Sequence, residues 1–188
     1  YATPGTIRGV REYKKLGEIP DGLFHEIDVD QKFTLGDLSV EAFAISHDAN
    51  EPSGYRIEQG GQSVAVATDL GIYDEYTVSK LQNLDAVLLE ANHDVEMLKK
   101  GGYPWSLKQR ILGENGHLSN HTAGRLLAEV MTGKMKYVFL GHLSEENNNP
   151  HLAYETVEEI LRNNRIEVGT HVKMDMASRF QNGVKVEL

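Results

Sequence analysis

The chain has 188 residues, 40% of them hydrophobic, enough for a single domain spanning 1–188 around one buried core. Its formal net charge of −9 disfavours a broad basic grip on nucleic acid while leaving room for a local one. It holds no cysteine, which leaves only His, Asp and Glu to bind a transition metal, and neither a membrane-length apolar stretch nor a charged-then-apolar leader, so a soluble, cytoplasmic protein with no membrane partner is expected.

Residues 38–45 alternate apolar and polar side chains and predict a strand. Residues 54–59 and 63–68 flank Gly60-Gly61, a pair suited to the positive φ of a tight hairpin, so the middle of the chain predicts antiparallel sheet. Beyond Asp69 the period changes. Val78, Leu81 and Leu84 predict a helix over 77–84, and 86–90 is a continuous apolar strand. Asp94 is placed to cap a short helix stopped by Gly101-Gly102, and Asn120 to cap a longer one over 121–131 ended by Gly133. A buried strand at 137–140 follows, and Pro150 opens an amphipathic helix running to about Leu161. Residues 165–172 and 183–188 read as edge strands or trailing segments. The fold class is α/β.

Four apolar runs end on a metal-capable or acid/base side chain: 42–46 on His47, 64–68 on Asp69, 86–92 on His93 and 137–141 on His142. Buried strands bring their tips to one edge of a sheet, so residues distant in sequence converge there, and His with Asp suits zinc, manganese or iron better than calcium. Asp69 emerges from an apolar strand where an uncompensated charge is costly; a cation compensates it, and one carboxylate can bridge two ions. The plainer alternative is an N-cap or an Asx turn before Gly71. His117 lies in a loop just before a helix, where anions are favoured, so it can meet a substrate phosphate and protonate a leaving oxygen, or serve only in capping. Glu90, near the end of an apolar strand, needs a partner, and pairing with His117 would orient that imidazole. His93, between Asn92 and Asp94, reads as a ligand, a substrate contact or merely the start of a helix. The candidate substrate contacts are Ser53, His93, Ser119, Asn120 and Ser144. Lys99, Lys100, Lys108 and Arg110 suit either a phosphate or a solvated helix face, and Tyr103 or Trp105 can stack a base or pack beneath a loop.

The ordered segments Ser46-His47-Asp48, Pro52-Ser53-Gly54-Tyr55, Thr68-Asp69-Leu70-Gly71, Leu89-Glu90-Ala91-Asn92-His93-Asp94, Gly116-His117-Leu118-Ser119-Asn120 and Leu140-Gly141-His142-Leu143-Ser144 resemble the metallo-β-lactamase superfamily. Residues 92–98, 102–110 and 116–120 look most like its YycJ/WalJ-type bacterial hydrolases, relatives of the ribonuclease Z enzymes. The resemblance covers nearly the whole chain. It implies a four-layered αβ/βα sandwich and two divalent metal ions, zinc or manganese with iron as the alternative. It further implies water activated by those ions to hydrolyse phosphodiesters, with DNA exonuclease activity on a nucleic-acid substrate. By motif, His47 and His142 match histidine ligands, Asp69 the bridging carboxylate, His117 the proton-donating histidine and Glu90 the carboxylate that supports it. The superfamily's N-terminal His-x-His-x-Asp-His motif does not occur, and residues 1–6 resemble the strand that follows it, so the chain reads as the family without its first strands. That reading predicts an exposed sheet edge and part of a core, and with them instability, aggregation or pairing with the missing segment or with a second copy in a homo-oligomer. Two other functions stay open. One is a small-molecule hydrolase acting on a thioester, lactone or cyclic phosphodiester, with the loop after Asp94 as a lid; the other is a metal-free binding scaffold without catalysis.

Overall fold

A computed structural model describes residues 1–188. Its centre is one seven-stranded sheet whose spatial order follows chain order. The strands are β1 (Lys32–Leu35), β2 (Leu38–Ala44), β3 (Ser53–Gln59), β4 (Gln62–Ala67), β5 (Ala86–Glu90), β6 (Tyr137–Gly141) and β7 (Lys173–Met176). The first four form an antiparallel meander, whereas β4 to β7 run parallel. Gly60 and Gly61, at φ 56° and 86°, make the tight turn between β3 and β4 that their sequence predicts.

Parallel neighbours need crossovers, and helices supply them. Helix α1 (Pro4–Glu12) precedes the sheet, and α2 (Glu75–Leu81) links β4 to β5. Then α3 (Val95–Lys100), α4 (Trp105–Leu112) and α5 (Asn120–Val130) link β5 to β6, and α6 (Pro150–Asn163) links β6 to β7. In α6, Asn149 caps Leu152 N at 3.0 Å, and Ala153, Val157 and Leu161 form a buried stripe at four-residue spacing. That stripe and the buried Ala123, Leu126, Leu127 and Val130 of α5 share one core with Ala65, Ala67, Val87, Leu89, Val138 and Leu140 from the strands. Strand alternation sends the intervening residues to the opposite face. There Tyr55, Val66, Leu88 and Phe139 stand in register across β3 to β6, partly exposed. The described residues thus supply one sheet with its core on one face, an αβ half of the expected sandwich.

Several boundaries differ from the sequence reading. The second helix starts at Glu75 behind the Asp74 cap and stops at Leu81, because Asn83 takes a left-handed φ of 57°. Helix α5 is capped by Ser119, whose Oγ accepts from Thr122 N at 3.1 Å, so Asn120 is its first residue. The last strand is Lys173–Met176; residues 165–172 instead form turns with positive φ at Arg165 and Gly169. The N-terminus is helical, because Thr3 accepts from Thr6 N and Pro4 fits the first turn. The strand expected at 1–6 reduces to a bridge between Ala2 and Glu26. Strand β1 and helix α4 also lie outside the sequence expectation.

Candidate metal centre and cleft

Strand direction explains why distant residues meet. Two antiparallel steps separate β2 from β4, so both point the same way, as do β5 and β6. Their C-terminal ends therefore share one edge, which in open α/β sheets is where ligands bind. His47 follows β2, Asp69 follows β4, Glu90 ends β5 and His142 follows β6. The loop before α5 adds His117. Its approach is close: a Cβ on Gly71 would run into the Glu114 carbonyl, and one on Gly116 into the Ile111 carbonyl.

Asp69 Oδ1 is the common point of the cluster. It lies 3.4 Å from His47 Nε2, 3.7 Å from His142 Nε2 and 4.0 Å from His117 Nδ1. The His47 and His117 ring centroids are 5.0 Å apart and those of His117 and His142 5.3 Å, so His117 sits between the other two. His47 Nδ1 faces the Gly116 carbonyl at 3.0 Å, and His142 Nδ1 faces Glu90 Oε1 at 2.6 Å. With each Nδ1 donating to those acceptors, each Nε2 keeps its lone pair toward Asp69. Donors around a tetrahedral zinc, bonded at about 2.0–2.2 Å, stand roughly 3.3–3.6 Å apart, so these spacings fit a metal ion. The compact ligand-capable groups, with donor atoms within 4.8 Å of one another, are His47, Asp69 and His117, and Glu90, His117 and His142. The three expected ligands do not form one such group by themselves; Asp69 is shared between the two outer histidines.

Glu90 is fully buried and fully engaged. Its Oε1 accepts from His117 Nδ1 at 2.7 Å as well as from His142, and its Oε2 accepts from Leu70 N at 2.8 Å and Leu118 N at 3.3 Å. Burial pushes its carboxyl up, but the bonds to His117 and His142 more than offset that and hold it below the ordinary value. The same bond to Glu90 raises His142 against the opposing effect of burial. A divalent ion at Nε2 competes with the added proton. Sequence paired Glu90 with His117 alone; the structure gives it both imidazoles. Asp69 and His142 both adopt left-handed backbone, φ 59° and 56°, a conformation that costs non-glycine residues about 1 kcal/mol or more each and is common at functional sites. The turn at Asp69 is held by Leu70 N on Glu90 and by Gly71 N on the Ser46 carbonyl at 2.7 Å.

The cluster opens into a cleft of about 420 Å³, also lined by Tyr103, Arg110, Ser144 and Arg179. Of the candidate substrate contacts, only Ser144 lines it. Ser53 opens β3 opposite Ala44, Ser119 is occupied in capping α5, and Asn120 is buried and hydrogen-bonded to Asn148. His93 is 1% exposed, with no hydrogen-bond partner at either ring nitrogen, and burial lowers its pKa to about 4. None of these four lines the cleft: Ser119 is spent on capping, Asn120 and His93 are buried, and Ser53 stands half-buried at the start of β3.

The basic segment also divides. Lys108 is buried and donates to the carbonyls of Lys99 and Gly101, at 2.7 Å each, while Lys99 and Lys100 face Glu96. Arg110 alone of the four lines the cleft. Tyr103 lines it too, whereas Trp105 is exposed on the first turn of α4; after Asp94 the supposed lid is the short helix α3 and the residues 101–104 that join it to α4. Asp48, which grips Arg110, is the residue sequence reasoning passed over; its place directly after His47 was the available signal.

A family model described as the beta-lactamase superfamily domain matches residues 1–142. The chain is 37% identical over 174 residues to exodeoxyribonuclease WalJ of Streptococcus pneumoniae serotype 2 (strain D39), covering 93% of this chain and 65% of that protein. It is 39% identical over 164 residues to exodeoxyribonuclease YycJ of Bacillus anthracis, covering 83% and 62%. The chain therefore spans somewhat under two thirds of the length of these curated relatives. Among solved structures, Zn(2+)-bound PqqB from Methylobacterium extorquens aligns with a TM-score of 0.65 over 93% of this chain and 62% of that one, at 18% identity, which is a likeness of fold.

Proposed function

The chain belongs to the beta-lactamase superfamily, and on that premise we propose that it works as a metal-dependent phosphodiester hydrolase, an exonuclease-like enzyme acting on DNA. The observation that carries this reading is Asp69 Oδ1 facing the free Nε2 atoms of His47 and His142 at 3.4 and 3.7 Å, each imidazole steered from behind by an acceptor on its Nδ1. The names of the similar proteins, both exodeoxyribonucleases, support DNA as the substrate.

In this reading His47, Asp69 and His142 would hold divalent ions, zinc or manganese. Bound there, such ions polarise a phosphate and make water a nucleophile near neutral pH. His117 carries the proton to the leaving oxygen. Glu90 accepts its Nδ1–H at 2.7 Å, which fixes the orientation of the ring. Ser144, at the cleft wall, offers a hydroxyl to the phosphate. Two ions need more ligands than these three side chains provide. We assign the rest to a further segment or a second copy packed on the outer sheet face around Val66, Leu88 and Phe139.

The test is hydrolysis of single- and double-stranded DNA by the protein carrying this chain, before and after chelation. Activity should vanish with the chelator and return with zinc or manganese, and His117→Ala should cut the rate by about 10² or more. Turnover of a thioester or lactone without DNA cleavage supports the small-molecule hydrolase instead. Neither turnover nor bound metal identifies a scaffold.

A further inference from the structure

Arg110 stands in the last turn of α4 and reaches the cleft, where its guanidinium meets Asp48. Nη2 donates to Oδ1 at 2.7 Å and Nε donates to Oδ2. The same Oδ1 lies 3.5 Å from His47 Nε2. A single carboxylate oxygen therefore stands between the guanidinium edge and the imidazole nitrogen assigned to the metal. Asp48 holds the place, and bears the charge, that an oxyanion would have there.

The rest of the guanidinium is uncommitted. Of its five N–H donors Asp48 takes two, and the others have no partner in the protein. The side chains of Arg110 and Asp48 are 48% and 37% exposed, so the pair can open without disturbing the core, and an ion pair this exposed adds little stability. The need for a cation is plain from the setting: Asp69, Glu145 and Glu146 also line the cleft of a chain whose net charge is −9. Arg179, the other basic side chain of the wall, is paired with Glu145. A planar guanidinium matches two phosphate oxygens at once, which an ammonium cannot do.

We propose that Arg110 binds a non-bridging phosphate oxygen of the substrate beside the metal position, with Asp48 holding the guanidinium in place until that oxyanion arrives. The proposal rests on the phosphodiesterase reading, and its test separates the two. Oligonucleotide hydrolysis and equilibrium binding of inorganic phosphate are measured for the wild type, Arg110→Gln, Arg110→Lys and Asp48→Asn. Arg110→Gln should raise KM about 10- to 100-fold with a smaller change in kcat, and weaken phosphate binding to match. It should also lower the log–log salt slope of KM by about one. Arg110→Lys should recover only part of this, and Asp48→Asn should leave both affinities equal to or tighter than wild type. Arg110→Gln and Asp48→Asn raising KM alike, with equal falls in Tm, would reduce the pair to a latch between α4 and the loop after β2. Unchanged phosphate binding in Arg110→Gln also overturns the proposal. A wild type that leaves DNA intact, yet loses phosphate binding on Arg110→Gln, would sink the nuclease reading and keep the anion contact.

Discussion

Asp85, just before β5, and Glu90, its last residue, are both buried carboxylates, yet their partners differ in kind. Asp85 accepts from Ser63 N at 2.8 Å and faces Lys134 Nζ at 2.9 Å and Lys136 Nζ at 3.7 Å. Burial pushes its carboxyl up, and the lysines and the Ser63 amide overcome that and hold it below the ordinary value. Two ammonium groups thus face one carboxylate, so this end of the strand is electrically closed. At the other end Glu90 faces two imidazoles, and beyond them the only basic groups within 4.0 Å of Asp69 are imidazoles too. One strand thus carries a structural ion pair at one sheet edge and an under-compensated, titratable cluster at the other. Clusters of that second kind mark places where an ion or substrate completes the charge balance.

The sharpest way to test this contrast is Asp69→Asn. Metal-dependent hydrolysis should fall by more than about 100-fold, beyond what loss of a supporting residue brings, while Tm stays level or rises because a compensation-starved charge is gone. Rate, metal content and thermal unfolding measured together decide it; a large drop in Tm with metal retained would make Asp69 structural.

Next comes His93, buried just beyond the end of β5. Its pKa of about 4 in the fold lies below the ordinary 6.5, so as pH falls the unfolded chain takes up a proton first. Its contribution to stability is complete above about pH 6.5 and is lost between there and about pH 4, up to about 3 kcal/mol. Asp85, held below its ordinary 3.8, gives way only at still lower pH. Denaturant unfolding at pH 7 and pH 4.5 should show a smaller pH effect in His93→Gln than in the wild type. Identical effects would acquit this histidine.

Glu90→Gln should follow, with activity down about 10- to 100-fold, since an amide cannot orient both imidazoles as a carboxylate does. Smallest on activity is Asp85→Asn at the closed end. It should lower unfolding free energy by about 1 to 2 kcal/mol and leave kcat unchanged. If Asp85→Asn damaged turnover as much as Glu90→Gln, the division between the two ends would fail.

Much of the candidate site was legible because apolar strands end abruptly on polar tips. The runs before Asp69, Glu90 and His142 need burial on both faces, and strand parity does the rest. The Glu90–His117 pair was readable for a related reason: a buried carboxylate must find a donor. That Glu90 serves two imidazoles was not, because it depends on how β5 and β6 align side by side. Helix α4 escaped because both Trp105 and Leu112 face solvent, which blurs its apolar stripe, and β1 because it is a half-exposed edge strand of four residues. The pairing of Asp48 with Arg110 joins residues 62 apart and leaves no local pattern. Ser53, Ser119, Asn120 and His93 sat in the right motifs, but motif proximity does not say which way a side chain points: Ser119 is spent on capping, Asn120 and His93 are buried, and Ser53 does not line the cleft.

The most direct test of the account is where a metal binds. Crystals of the protein grown with zinc or manganese, with data collected at the metal's absorption edge, should show anomalous density at bonding distance, about 2.0–2.2 Å for zinc, from Asp69 and from Nε2 of His47 or His142. Anomalous peaks only at other residues, with those three side chains left as they stand, would contradict it.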